Sequence, residues 1–117
     1  MEKVSNEEQI AWFDLSPNET AKKLLAYIED GHYLCREVEN KIFDLPLNDC
    51  KKVIHACLDA GFCLYKDAEI KIFELPTEVC KEIILTYIQK KYRLCPEVNQ
   101  KIAETPEFAE LTSLLIT

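Results

Sequence analysis

The chain has 117 residues, a length typical of one domain, and its 48% hydrophobic and 30% charged residues argue against a disordered chain. Its net charge of −7 argues against broad nucleic-acid binding and against anionic membranes, because both need an excess of Lys and Arg. No apolar run approaches the roughly 18–20 residues that cross a bilayer, and the acidic N-terminus is unlike a signal peptide, so we predict a cytoplasmic protein without a membrane partner.

One motif returns along the chain at a constant interval. It reads KIFDLP at 41–46, KIFELP at 71–76 and, more weakly, KIAETP at 101–106, so each copy starts 30 residues after the one before it. A fixed interval of this length is typical of stacked helical repeats. We therefore predict one domain, 1–117, with a half-unit at 1–12, repeats at 13–42, 43–72 and 73–102, and a half-unit at 103–117.

The first half-unit has the sequence of a short helix. Ser5 with Glu8 fits a capping box, in which the side chain of the first residue accepts a backbone N–H three residues later. The apolar residues that follow supply one face. We predict a helix from about Asn6 to Phe13.

The first repeat has the sequence of a helical hairpin. Ser16 as N-cap and Pro17 in the first helical position begin a helix, and Gly31 is placed to end it in a left-handed cap. A shorter helix follows. The predicted buried stripes of the two helices are Thr20, Leu24, Tyr27 and Ile28, and then Leu34, Val38 and Ile42.

The next two repeats follow the same plan. Gly61 lies 30 residues after Gly31, whereas Lys91 replaces this glycine in the third repeat, so that its helix needs another cap or a strained left-handed residue. Pro96 fits the first turn of a helix. The predicted stripes are Cys50, Ile54, Cys57 and Leu58; Leu64, Ala68 and Ile72; Cys80, Ile84, Tyr87 and Ile88; and Leu94, Val98 and Ile102.

The last half-unit begins at Pro106 and is predicted to form an apolar helix. Its hydrophobic residues are Phe108, Leu111, Leu114, Leu115 and Ile116. Either this helix caps the stack, or it pairs with a partner or a continuing chain. Self-association through the C-terminal helix is therefore one expected interaction.

These patterns predict an all-α fold, a short α-solenoid of stacked helical hairpins. The starts of the second helices read LCREV at 34–38, LYKDA at 64–68 and LCPEV at 94–98. They resemble HEAT and armadillo-like repeats, although the interhelical Asp and the Arg typical of HEAT units are missing. The resemblance implies a protein that holds extended protein partners on one face, and it brings no catalytic motif.

The most regular polar feature is a ladder of charges on the second helices. Each lysine of the ladder follows an acidic residue by four positions, a spacing that stabilises a helix by a few tenths of a kcal/mol, about 0.2–0.5. In a solenoid such positions would line one surface, which makes them the candidate partner-binding residues. The ladder consists of Glu37, Lys41, Asp67, Lys71, Glu97 and Lys101.

The six cysteines and two histidines could belong to a reactive site. Repeat-equivalent cysteines are better explained as small buried hydrophobes, and Cys63 is the exception. A zinc site of His55, Cys57 and Cys63 lacks the usual Cys-x₂-Cys pair. A Cys–His nucleophile pair is the enzyme alternative. We predict no catalytic residues, no metal and no cofactor.

The sequence thus predicts a non-catalytic protein–protein interaction module, an adaptor-like helical repeat domain. Its expected partner is another protein rather than nucleic acid. The alternative is a small acidic inhibitor or nucleic-acid mimic, suggested by the net charge of −7.

Overall fold

Short and long helices alternate along the chain. The computed structural model describes residues 2–111, and within them there is no strand, which confirms the all-α class. The short helices are α1 (Asn6–Ala11), α3 (Arg36–Lys41), α5 (Lys66–Lys71) and α7 (Pro96–Glu104). The long helices are α2 (Pro17–Glu29), α4 (Leu47–Asp59) and α6 (Thr77–Gln89). Four single 3₁₀ turns lie at Trp12–Asp14, Ile42–Asp44, Ile72–Glu74 and Pro106–Phe108.

The long helices share one length and one spacing. Each has 13 residues, and they begin at positions 17, 47 and 77. The local structure therefore follows the interval of the sequence motif. None of the described helices has the length and apolar character needed to cross a membrane.

Two serines begin helices as the sequence predicts. The Ser5 hydroxyl accepts the Glu8 N–H at 3.2 Å, and the Ser16 hydroxyl accepts the Glu19 N–H at 3.3 Å. The two later long helices begin differently, because a proline occupies the N-cap position and offers no side-chain oxygen. The first short helix ends at Ala11, and the residues up to Asp14 form a 3₁₀ turn rather than further α-helix.

The long helices end in left-handed residues. Gly31 and Gly61 have φ angles of +91° and +90°, as the sequence predicts. Lys91 takes the third position with a φ of +60°. A side chain in this conformation is disfavoured by roughly 1–2 kcal/mol, so the third repeat accepts strain at the position where the first two have glycine.

The backbone divides into two compact units, one reaching to Tyr65 and the other beginning at Lys66. In the first unit α2 packs on α4 and α1 on α3. In the second unit α5 contacts α7, and α6 contacts the 3₁₀ turn that precedes it. Every predicted stripe residue is buried except Ile88, which is half-buried. Further buried residues are Ala21, Val53, Val79 and Ile83.

Four polar residues are buried in the described part of this apolar interior: Thr20, whose hydroxyl donates to the Trp12 carbonyl, and three residues with longer side chains. Gln9, Glu39 and Glu69 are 2%, 3% and 4% exposed, and each follows the previous one by 30 positions. The Oε1 atom of each accepts a backbone N–H 26 residues later, from Cys35 at 3.0 Å, Tyr65 at 2.8 Å and Cys95 at 3.0 Å. We call these three residues the buried acceptors. Each one fixes the start of the next short helix.

The phenylalanines of the motif lie only partly in the core. Phe43 and Phe73 are half-buried. Phe73 packs edge-on against Phe108 with ring centroids 5.4 Å apart. Truncation of either phenylalanine should therefore cost less than the ~3–5 kcal/mol of a fully buried ring.

The predicted C-terminal helix is described only at its beginning. Phe108 and Leu111 are buried, and a 3₁₀ turn precedes Ala109. Leu114, Leu115 and Ile116 lie outside the described residues. Capping or self-association through this helix therefore stays a prediction.

Glu69 provides a test of the buried acceptors. Burial raises the pKa of its carboxyl group, and hydrogen bonds from Cys95 and Tyr87 oppose that shift in part. The folded state therefore holds the proton more tightly than the unfolded state, and stability falls as the pH rises from about 4.5 through the folded-state pKa. Glu69→Gln keeps an acceptor and removes this cost, so we expect its stability relative to the wild type to improve between pH 4 and pH 7.

Urea unfolding at the two pH values measures this difference. Glu69→Ala leaves the Cys95 N–H and the Tyr87 hydroxyl without their acceptor and should lose about 1–3 kcal/mol at either pH. Asn99→Ala, at the exposed equivalent position in α7, is the control. A Glu69→Gln variant whose relative stability is the same at both pH values would contradict the buried-carboxyl account.

Candidate functional site

In the first unit, the predicted ladder residues Glu37 and Lys41 are both exposed on α3. They do not form an ion pair with each other among the described residues. The Lys41 ammonium lies 5.9 Å from the centre of the Phe13 ring, within the range of a cation–π contact. Lys41 therefore covers the 3₁₀ turn that precedes α2, which is a packing role.

In the second unit, the ladder residues lie on α5 and α7. Asp67 and Lys71 are half-exposed, and Glu97 and Lys101 are exposed. The predicted pairing of Glu97 with Lys101 is wrong, since Glu97 Oε1 lies 2.8 Å from Lys66 Nζ and Lys101 Nζ lies 5.7 Å from the Phe73 ring centre. The Lys66–Glu97 pair raises the pKa of Lys66 and lowers that of Glu97, although both side chains are in solvent.

The cysteines follow the predicted division with one correction. Cys35, Cys50, Cys57 and Cys80 are buried, and Cys63 is exposed. Cys95, predicted as a core residue, is only half-buried at the N-cap of α7, whereas Cys35 at the N-cap of α3 is buried. All six lie in the described part of the chain, and none forms a disulfide.

The reactive alternatives find little geometric support in the described residues. Burial, followed by the neighbouring Glu39, raises the pKa of the Cys57 thiol to about 12, which keeps it protonated near neutral pH. His55 lines an open depression with Asn48, Lys51 and Lys52. His32 stacks on the Tyr27 ring with centroids 4.6 Å apart. Within residues 2–111, no three His, Cys, Asp or Glu side chains come together as a metal site.

The first unit carries exposed aromatic rings at its hairpin loops. Tyr33 is 57% exposed and Tyr65 is 39% exposed, and Tyr33 packs edge-on against the half-buried Phe62 at 6.0 Å. We call Tyr33, Phe62 and Tyr65 the aromatic surface. Burial raises the pKa of Tyr65, with Glu39, Tyr33 and Cys35 adding to the shift and Arg36 opposing it. Tyr65 is therefore close to both the buried Glu39 carboxyl group, which accepts its backbone N–H, and the Arg36 guanidinium group.

A cavity of about 280 Å³ opens beside the aromatic surface. We call it the polar cavity. Among the described residues, its lining contains two cations and no acidic side chain. The lining residues are Lys3, Asn6, Gln9, Tyr33, Cys35, Arg36 and Tyr65.

Two buried acceptors shape this cavity. Gln9 binds the Cys35 N–H and itself lines the cavity, and Glu39 binds the Tyr65 N–H. These two hydrogen bonds thus also position two walls of the polar cavity. The sequence signal for this role, which was not among the predictions, is the recurrence of polar residues every 30 positions at 9, 39 and 69.

Thiol alkylation tests the burial of the cysteines and the enzyme alternative together. Burial raises the pKa to about 11 for Cys50 and to about 12 for Cys57 and Cys80. At pH 8, native iodoacetamide treatment should modify Cys63 rapidly, while these three react only as fast as the protein unfolds. Peptide mass mapping over time measures each site. Alkylation of Cys57 at the same rate as Cys63 would contradict the burial of Cys57. It would favour the enzyme alternative, in which a cysteine acts as a nucleophile.

Comparison with known proteins adds no relative. No family model, no curated protein and no solved structure matches the chain. The resemblance to HEAT and armadillo-like repeats therefore stays a prediction, and the interpretation of function rests on the geometry of the described residues.

Proposed function

We propose that the chain is a non-catalytic protein-interaction module built as an α-solenoid with a repeat of about 30 residues. Three 13-residue helices at equal spacing support the repeat, because they place equivalent side chains at equivalent local positions. The buried acceptors support stacking, since each bonds to the same point of the following hairpin. Such stacks bind partners on extended surfaces.

The aromatic surface is the observation that carries the proposal. Tyrosine is enriched at protein interfaces and often provides much of the binding energy, because its ring buries a large area with little conformational freedom to lose. Tyr33 is 57% and Tyr65 39% exposed, so both rings leave a large apolar surface available to a partner. Arg36, another residue type enriched at interfaces, lies beside them.

The charge ladder is the second possible binding face. Lys41 and Lys101 already cover Phe13 and Phe73, so part of the ladder has a packing explanation. We therefore assign the main contact to the aromatic surface. The compartment that we propose is the reducing cytoplasm, in keeping with six cysteines that form no disulfide.

Affinity capture from a lysate of the source cells, quantified by mass spectrometry, tests this assignment. Tyr33→Ser combined with Tyr65→Ser should lower recovery of a specific protein partner about tenfold or more, as expected for interface tyrosines. Leu47→Ser is the matched control, because Leu47 is 39% exposed like Tyr65 but lies outside the aromatic surface.

Charge reversal at Lys71 and Lys101 separates the two faces. Loss of the partner with these variants and not with the tyrosine variants would move the binding face to the ladder. Equal recovery with all variants would overturn the proposal that either face binds. A captured nucleic-acid-binding protein that dissociates at moderate salt and is indifferent to the tyrosines would favour the acidic-mimic alternative.

A further inference from the structure

The wall of the polar cavity holds a buried hydrogen-bond donor that the protein leaves open. Gln9 lines the cavity with a side chain that is 2% exposed, and its Oε1 atom accepts the Cys35 N–H. This bond fixes the amide group, so that Nε2 is left as a donor. Within residues 2–111 Nε2 donates to no group, and it keeps an opening to solvent, because no fully enclosed side-chain nitrogen there is without a partner. Its N–H groups are therefore available to a ligand in the cavity.

The two tyrosines of the lining carry further open donors. In the described part of the chain, neither the Tyr33 nor the Tyr65 hydroxyl forms a hydrogen bond with the protein. Arg36 already has an interaction within the protein, so its guanidinium group is not counted among these donors. Lys3 is exposed, and its ammonium group is hydrated. The open donors of the inner wall are therefore neutral ones, an amide and two hydroxyls.

Acceptors are scarce in the same lining. The Gln9 oxygen is occupied by the Cys35 N–H, and no acidic side chain of the described residues lines the cavity. A peptide that enters brings one N–H for each residue except proline, and an N–H that is buried without an acceptor is costly. The cavity therefore favours a segment that offers carbonyl oxygens and few N–H groups.

The aromatic surface borders this cavity with apolar rings. Tyr33 and Tyr65 belong both to the surface and to the lining, and Tyr33 packs edge-on against Phe62 at 6.0 Å. A polyproline II segment has no internal hydrogen bonds, so its carbonyl groups point outward to donors, and its pyrrolidine rings pack on aromatic side chains. Donors and aromatic rings side by side match both features of such a segment.

We infer that the polar cavity and the aromatic surface together bind a proline-containing extended segment of the protein partner, an inference that rests on the proposed function. The Gln9 amide and the hydroxyls of Tyr33 and Tyr65 donate to main-chain carbonyl oxygens of this segment. Its proline rings pack against the aromatic surface. Because the recognising groups are neutral, the affinity should depend little on salt.

Gln9→Glu is the sharpest variant. A glutamate keeps the acceptor for the Cys35 N–H, as glutamates do at the equivalent positions of the next two repeats, and it replaces the donor with a carboxylate that repels a carbonyl oxygen. Tyr33→Phe combined with Tyr65→Phe keeps both rings and removes both hydroxyl groups. Gln89→Glu is the matched control, because it makes the same substitution at an exposed position of α6 outside the cavity.

The binding of short fluorescent peptides, followed by fluorescence anisotropy at about pH 8, provides the readout, since the introduced carboxyl group is ionised there. Each peptide has blocked termini and about eight residues, roughly 25 Å of polyproline II helix. The probes are oligoproline, an alternating Gly–Ser peptide and an alternating Glu–Ser peptide. We expect the wild type to bind oligoproline about tenfold or more tightly than either of the others. The oligoproline affinity should change less than about twofold between ~50 and ~500 mM NaCl.

The variants decide whether the cavity is the site. Gln9→Glu should weaken oligoproline binding about tenfold and the double Tyr→Phe variant about threefold or more, with Gln89→Glu within about twofold of the wild type. An unchanged affinity in Gln9→Glu, or equal weakening by Gln89→Glu, would overturn the inference. A wild type that binds the Gly–Ser or Glu–Ser peptide as tightly as oligoproline, or none of them at about 1 mM protein, would also overturn it.

The peptide assay and the affinity capture keep this inference separate from the proposed function. A partner lost with the Tyr→Ser variants but retained with Gln9→Glu would leave the interaction module standing and overturn the proline-segment site. Recovery that no variant changes would overturn the aromatic surface as the partner's contact, whatever the peptides show. Circular dichroism checks that each variant is folded. If Gln9→Glu does not fold, the double Tyr→Phe variant decides, and an oligoproline affinity equal to that of the wild type would then overturn the inference.

Discussion

The rest of the structure depends on a hydrogen bond between a buried polar side chain and the first N–H groups of the next short helix. A short helix of six residues leaves its opening N–H groups without partners inside the helix. Serine supplies such an acceptor at Ser5 and, for the long helix α2, at Ser16, but the later short helices have no side-chain cap of this kind among the described contacts. Gln9, Glu39 and Glu69 supply the acceptor from the preceding short helix. An apolar residue at these positions would leave a buried N–H unsatisfied, which explains why polar groups occupy an otherwise apolar interior.

The same hydrogen bonds also position surface residues of the first unit. Because the bonds from Gln9 and Glu39 hold the backbone at Cys35 and Tyr65, they also set the aromatic surface and the walls of the polar cavity. Gln9 differs chemically from the other two acceptors, since an amide keeps a donor where a carboxylate has none. Glu69, by contrast, uses its second oxygen to accept the Tyr87 hydroxyl.

Much of the helical pattern could be read from the sequence because local signals and burial agree. Ser16–Pro17 and Gly31 mark helix ends by their backbone preferences, and the apolar stripes at helical spacing are buried as predicted. The contacts of the charge ladder were harder to predict, because an acidic residue and a lysine at four-residue spacing also contact side chains of other elements. Glu97 bonds to Lys66 on another helix and Lys101 covers Phe73, which only the tertiary structure reveals. The buried acceptors were missed because Glu39 and Glu69 lie among charged residues that read as a solvated face, and their burial depends on packing between helices.

Amide hydrogen exchange measured by NMR tests the central claim most directly. The N–H groups of Cys35, Tyr65 and Cys95 should be protected, because each is bonded to a side chain that is itself buried. The N–H groups of Tyr33 and Arg93, in exposed loop positions of the two units, should exchange rapidly. Glu69→Ala should remove the protection at Cys95 and leave that at Cys35 intact. A Cys95 N–H that exchanges as fast as that of Arg93 in the wild-type protein would contradict the account.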